Sequence, residues 1–190
     1  MADAYLGLGS NLGDKRLYLW RALEKLGEAG SIENVSSLYA TEPVGNREQD
    51  WFLNAAVKLR CDLPPEELLS FLLAVEQELG RVRTAKNAPR TIDLDLLLYD
   101  DLVIGYEATG GHGGSPLQDE VGGQRVLPLL VLPHPRLHER RFVLAPLAEI
   151  APDLMHPVLK RAIRDLAASL ESNEQVEIAE RNWFLQQRNT

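Results

Sequence analysis

Apolar and polar positions along this chain change period at intervals, and the changes mark its elements. Asp3-Ala4-Tyr5-Leu6-Gly7-Leu8-Gly9 reads as a first strand over residues 3–9. Ser10 to Asp14 reads as a turn, with Asp14 as the N-cap of a helix. In that helix Leu17, Trp20, Leu23 and Leu26 recur at helical spacing, and Gly27 and Gly30 end it. Residues 31–41 predict a second strand, the Pro43- and Gly45-containing stretch from Glu42 to Asp50 a loop, and residues 51–60 a third strand. Pro64 and Pro65 open a second helix. Its apolar stripe is Leu68, Leu69, Leu72, Val75 and Leu79, and Gly80 stops it. After a basic loop, Ile92, Leu94, Leu96 and Leu98 alternate with other residues as a fourth strand. Residues 102–105 extend the sheet as a short hairpin partner.

Strand, helix, strand, strand, helix, strand predicts an α+β fold with a ferredoxin-like βαββαβ core, an antiparallel sheet with both helices on one face. Further along, the glycine-rich stretch 108–124 reads as a solvated insertion, with His112 a loop histidine. Pro133-His134-Pro135 reads as a rigid turn, and Pro157 to about Leu170 as a closing helix. The tail from Glu171, with its Trp183-Phe184 pair, reads as a C-terminal helix packed on the body. One domain, 1–190, is expected: a core over 3–158, the insertion, and a helical extension over 159–190.

Composition narrows the class. A chain of 190 residues with 45% apolar and 25% charged residues can bury a proper core. Its one cysteine, Cys61, rules out an internal disulfide and reads as a buried thiol. Neither a signal pattern nor an apolar run of membrane-spanning length is present, so a cytoplasmic protein with no membrane partner fits. A net charge of −8 argues against a nucleic-acid surface, and clustered arginines within that acidic background point to a small local anion site.

The chemistry concentrates at Pro89-Arg90-Thr91-Ile92-Asp93-Leu94-Asp95. In a strand, side chains at i and i+2 share a face, so Asp93 and Asp95 project together, roughly 7 Å apart along the chain. Two carboxylates at that spacing call for a cation, either Mg²⁺ or an arginine such as Arg90. The plain alternative is the wet face of an edge strand. Arg81, Arg83, Lys86 and Arg90 just upstream favour a phosphate site, which needs both cations and a metal held by carboxylates. Asn54 in an otherwise apolar strand can read the edge of a heterocycle, with the Phe52 ring beside it. Gly7 to Gly13 reads as a tight strand-to-helix turn; its spacing fits neither dinucleotide nor Walker loops.

Taken in order, Gly9-Ser10-Asn11-Leu12-Gly13-Asp14, Phe52-Leu53-Asn54-Ala55, Gly80-Arg81-Val82-Arg83, Pro89 to Asp95, Leu132-Pro133-His134-Pro135 and Arg140-Arg141-Phe142-Val143-Leu144 resemble the 6-hydroxymethyl-7,8-dihydropterin pyrophosphokinases of folate biosynthesis. The resemblance covers roughly residues 3–158. It implies the ferredoxin-like fold and transfer of pyrophosphate from ATP to the pterin hydroxymethyl oxygen, leaving AMP. It implies that Asp93 and Asp95 hold two Mg²⁺ ions and that Arg81 and Arg90 neutralise the transferring group. By the same match Arg83 helps close the site, and His134 and Arg140 contact ATP. Asn54 reads the pterin edge between Phe52 and Phe142, Thr41 and Val44 line the same pocket, and Glu76 lies near the metal waters. ATP and the pterin are the expected partners, with no obligate protein partner. The chain departs from the family where Asn87-Ala88 replaces a common Trp-Gly pair and Thr84 replaces a common lysine.

Two other readings use the same residues. A metal-dependent phosphohydrolase would need a positioned water and no pterin pocket. A ligand-sensing module would need no paired aspartates beside arginines.

Overall fold

A computed structural model describes residues 1–43, 49–81, 88–106 and 129–185. Its frame is an antiparallel sheet with helices on both faces, an α+β arrangement. The strands are β1 (Ala2–Ser10), β2 (Gly30–Val35), β3 (Leu38–Thr41), β4 (Phe52–Cys61), β5 (Asp93–Tyr99) and β6 (Val176–Glu180). The helices are α1 (Lys15–Ala29), α2 (Pro65–Glu78), α3 (Arg141–Ile150) and α4 (Ile163–Ser169). The sheet runs β5-β1-β4-β3-β6, and β2 shares the far end of β4.

Local signals act where the sequence places them. The Asp14 carboxylate accepts from the Leu17 N–H at 3.0 Å and caps α1. Pro64 and Pro65 open α2, a position where a missing N–H costs nothing. Helices α1 and α2 press Leu19, Leu23, Leu26, Leu68, Leu72 and Val75 onto Leu6, Leu8, Val57, Leu59, Leu94 and Leu96. Cys61 lies in this core, and burial pushes its thiol pKa up. Helices α3 and α4 close the other face with Val143, Leu144, Leu147, Ile163 and Leu166 against Tyr5, Ala56, Leu97 and Leu98.

The structure corrects five expectations. The single strand expected over 31–41 is two, broken at Ser36-Ser37. Val35 faces Val57 and Tyr39 faces Asn54, so β2 and β3 carry one residue more than β4 across the break. The Ser36 hydroxyl accepts from the Ala56 N–H at 2.9 Å, and Ser36 also receives the Trp183 indole N–H. On β5 the register slips between Tyr5 and Leu6, so Leu98 turns away from Leu94 and Leu96 and packs under α3. The closing helix is only Ile163–Ser169. The tail is not helical at 176–180 but a strand, because Val176 to Glu180 pair with the otherwise open edge of β3. Trp183 beyond it is fully buried, packed on the body as expected.

Residues 102–105 contribute one bridge, Ile104 to Leu132, rather than a hairpin. The insertion 108–124, with His112, lies outside the described residues. No helix among the described residues is long and apolar enough to cross a membrane.

Candidate active site

The floor of the site is set by what three adjacent strands lack. Asp93 faces Gly9, and Gly9 faces Asn54; Asp95 faces Gly7, and Gly7 faces Ala56. On this face β1 offers no side chain at Gly7 or Gly9 and β4 offers only a methyl at Ala56. Large residues flank this bare floor, and the result is a cavity of about 340 Å³. A Cβ added at Gly9 would stand 2.7 Å from the Asn54 carbonyl oxygen, so glycine there is a condition for the placement of Asn54. Gly7 and Gly9, which the strand expected over 3–9 already holds, are therefore strand residues with a packing role rather than part of the turn also read from Gly7 to Gly13.

Around this floor stand Thr41, Phe52, Asn54, Arg90, Asp93, Asp95, Arg140 and Phe142. Asn54 is buried, and its amide N–H donates to the Thr41 hydroxyl at 2.6 Å. That bond fixes the orientation of the amide and leaves its oxygen for a ligand. The Arg90 guanidinium lies 5.9 Å from the centroid of the Phe52 ring, and that of Arg140 5.6 Å from the Phe142 ring. Each aromatic wall thus carries a cation on its face.

Asp93 receives both Arg81 and Arg90. Arg81 also pairs with Glu76, which is 2% exposed and accepts from the Leu94 N–H at 2.7 Å. Burial pulls the Asp93 carboxyl upward, but the two guanidinium ions outweigh it and hold it below the usual range. Asp95 has no arginine ion pair among the described residues. Burial, and then the Asp93 charge, push its carboxyl up, with His134 and Arg140 opposing. Burial raises Glu76 to about 7 against the pull of Arg81. Burial also lowers the His134 imidazole, which faces Asp95. The His134 backbone N–H donates to the Leu97 carbonyl at 2.8 Å, and its Nδ1 accepts from the Arg136 N–H at 3.2 Å. The neutral ring therefore carries its proton on Nε2.

Asp93 and Asp95 also line a smaller neighbouring cavity of about 100 Å³ with Glu76, Arg81 and His134. The two aspartates thus stand on the boundary between two spaces. Of the residues expected at the site, Val44 and Arg83 lie outside the described residues, and the others gather in these two cavities. Sequence reasoning left out Asn11, Arg136 and Glu174. Asn11 grips Arg90 from both sides: its side-chain oxygen accepts the Arg90 N–H at 2.8 Å, and its own N–H donates to the Arg90 carbonyl at 3.1 Å.

Comparison with known proteins bears on this geometry. A family model described as 7,8-dihydro-6-hydroxymethylpterin-pyrophosphokinase (HPPK) matches residues 5–152. The 2-amino-4-hydroxy-6-hydroxymethyldihydropteridine pyrophosphokinase of Methylorubrum extorquens is 43% identical over 173 residues, covering 90% of this chain and 95% of its own. The enzyme of the same name from Bacillus subtilis is 43% identical over 149 residues, 77% of each chain. Among solved structures, wild-type Plasmodium falciparum HPPK-DHPS superposes with a TM-score of 0.64 at 18% identity. That match covers 88% of this chain and 44% of the longer one, and is a likeness of fold.

Proposed function

The chain belongs to the 7,8-dihydro-6-hydroxymethylpterin-pyrophosphokinase family, and on that premise we propose how its residues perform the reaction. The enzyme transfers pyrophosphate from ATP to the hydroxymethyl group of 6-hydroxymethyl-7,8-dihydropterin, a step of folate biosynthesis. One observation carries the residue assignment. A single cavity has Asp93 and Asp95 of β5 at one end and Asn54, Thr41 and Phe52 of β4 and β3 at the other, with Phe142 of α3 in its wall and Arg90 reaching from Asp93 to the Phe52 ring. The first end suits phosphates and the second a flat polar heterocycle. The strand order β5-β1-β4-β3, with α1 and α2 on one face, supports the ferredoxin-like reading of the core.

The pterin lies between Phe52 and Phe142 with its ring edge on the Asn54 amide, which the Thr41 bond holds in register. Its hydroxymethyl group then points across β1 toward Asp93 and Asp95. ATP occupies the space on the other side of the two aspartates, where Arg81 and His134 line the wall. His134 donates from Nε2 to a phosphate oxygen, and Arg140 spans from the Phe142 ring toward the same charge. Arg81 and Arg90, held by Asp93, stand ready to neutralise the transferring group. Asn11 fixes the backbone from which Arg90 reaches. Positioning and charge stabilisation therefore do most of the work.

The donor set also suits Mg²⁺. Asp93 and Asp95 are hard oxygen ligands on one face, and the destabilised Asp95 carboxylate is the partner a cation would relieve. These two residues would hold two Mg²⁺ ions with the ATP phosphates, and Glu76, through Arg81, would order their surroundings. When bound, such ions neutralise phosphate charge and lower the pKa of the attacking alcohol. The setting that goes with this reading is the cytoplasm, with ATP and the pterin as partners.

Nucleotide product analysis with ATP, Mg²⁺ and the hydroxymethyl-dihydropterin tests the reading. AMP formed in step with pyrophosphorylated pterin is the expected result. ADP, or phosphate released without pterin, would return the two aspartates to the hydrolase reading. Turnover undiminished by a metal chelator would remove the metal assignment alone.

A further inference from the structure

The family match ends at residue 152, yet the cavity wall does not. Glu174, on the approach to β6, lines the same cavity as Asn54, Thr41 and Phe142. We propose that Glu174 is a specificity residue that reads the amino-pyrimidinone edge of the pterin; the proposal rests on the substrate reading above.

The location of Glu174 follows from three contacts. Val176 pairs with Thr41, and the Glu42 N–H donates to the Gln175 carbonyl at 3.2 Å, so the segment runs beside the end of β3. Glu174 Oε2 accepts from the Arg141 N–H at 3.1 Å, next to Phe142. Helix α3 has no side-chain cap from its own flanking residue, so this carboxylate caps it from the far end of the chain. The tail itself is anchored by buried Trp183 and by a two-bonded ion pair between Arg16 and Glu180. Glu174 is thus held at a fixed place on the wall.

The sheet order decides which part of the substrate it meets. From β5, which carries Asp93 and Asp95, to β3 is three strand steps, about 14 Å at about 4.8 Å per step. Glu174 lies beyond β3, at the end of the cavity remote from the aspartates. A pterin with its hydroxymethyl group at the aspartates turns its pyrimidinone end this way. That end presents two N–H donors side by side, the 2-amino group and N3. A carboxylate with one oxygen engaged by Arg141 keeps the other to accept from them.

Glu174→Gln tests this without removing the helix cap, because the amide oxygen can still accept from Arg141. AMP formation is followed with the natural pterin and with an analogue carrying a 2-oxo group in place of the 2-amino group. The expected result is a rise of about tenfold in KM for the pterin, the loss of one charge-assisted hydrogen bond. The kcat and the KM for ATP stay within about twofold on the same reasoning, since Glu174 touches neither. The preference of the wild type for the 2-amino over the 2-oxo compound shrinks by the same factor. An unchanged pterin KM, or an equal loss for both compounds, would reduce Glu174 to a cap and overturn the proposal. Wild-type enzyme that forms no AMP with the pterin would take away the premise instead, and is recognised before the variant is measured.

Discussion

On β1 the side chains alternating toward α1 and α2 are Ala4, Leu6 and Leu8, while those facing α3 are Tyr5, Gly7 and Gly9. β4 repeats the division with Ala55, Val57 and Leu59 against Asn54 and Ala56, and β5 with Leu94 and Leu96 against Asp93 and Asp95. One face of the sheet is filled and dry. The other is emptied at its centre and lined with charge. Each buried leucine of the filled face contributes about 1.5–3 kcal/mol, and that surplus permits the second face to hold groups that burial disfavours. Stability and chemistry are thus carried on opposite faces of the same three strands, and each face can be altered separately.

The largest expected effect lies on the charged face. Asp95→Asn keeps the shape of the side chain and removes its charge, so AMP formation should fall by about 10²–10³-fold. The melting temperature should hold or rise, because a carboxyl already destabilised by burial and by Asp93 has been neutralised. Steady-state turnover and a thermal melt together check this, and near wild-type turnover would end the metal-ligand assignment. On the filled face, Leu72→Ala should behave in the opposite way. Leu72 is fully buried, so denaturant unfolding should show a loss of about 2–5 kcal/mol, with the pterin KM unchanged in the molecules that remain folded.

Gly9→Ala sits between these extremes. Its added methyl meets the Asn54 oxygen at 2.7 Å and must displace it. Stability should drop by about 1 kcal/mol, the low end of overpacking, while the pterin KM rises about tenfold as the amide loses its register. Gly7→Ala serves as the control, since its Cβ would meet Leu97 at an ordinary 3.5 Å. Equal pterin KM values for the two variants would mean that the floor is not shaped around Asn54.

The division between faces was only partly legible in the sequence. Asp93 and Asp95 declare themselves because strand alternation is local, and Asp14, Pro64 and Pro65 because caps are local. Leu98 could not be placed, since its turn to the other face follows from a register slip opposite Tyr5 and Leu6, far away in the chain. Gly7 and Gly9 fell both in the strand over 3–9 and in the turn over Gly7 to Gly13, because glycine signals turns when its cross-strand neighbours are unknown; only pairing with Asn54, Asp93 and Asp95 shows what their bareness is for. The alternation Val176, Ile178, Glu180 was visible, but an open edge on β3 was not, so the tail read as a helix. Glu174 was missed for the same reason. A residue on a tail joins a site only when the strand after it finds its partner.

A further effect, confined to acid conditions, tests whether burial of polar groups on the second face has a cost that pH can expose. His156, fully buried, accepts at Nδ1 from the Val158 and Leu159 N–H groups at 3.3 and 3.1 Å. A proton on Nδ1 would confront two donors. Its neighbours are the Tyr106 and His138 rings, at 6.2 and 6.1 Å between centroids. Burial, with His138 adding, lowers its pKa from 6.5 to about 4. Above pH 6.5 the imidazole is neutral in folded and unfolded chains alike, and it favours neither. Between pH 6.5 and about 4 only the unfolded chain takes the proton, so stability falls as pH falls; below about 4 both take it and the loss is complete. Allowing for solvent screening, the loss is about 2 kcal/mol. His156→Asn keeps an oxygen where Nδ1 accepts and removes the titration. The difference in unfolding free energy between wild type and variant, followed from pH 7.5 to 4.5, should therefore shrink by about that amount. A difference that stays flat with pH would mean that the folded chain admits the proton freely, and that this face is less dry around His156 than its packing implies.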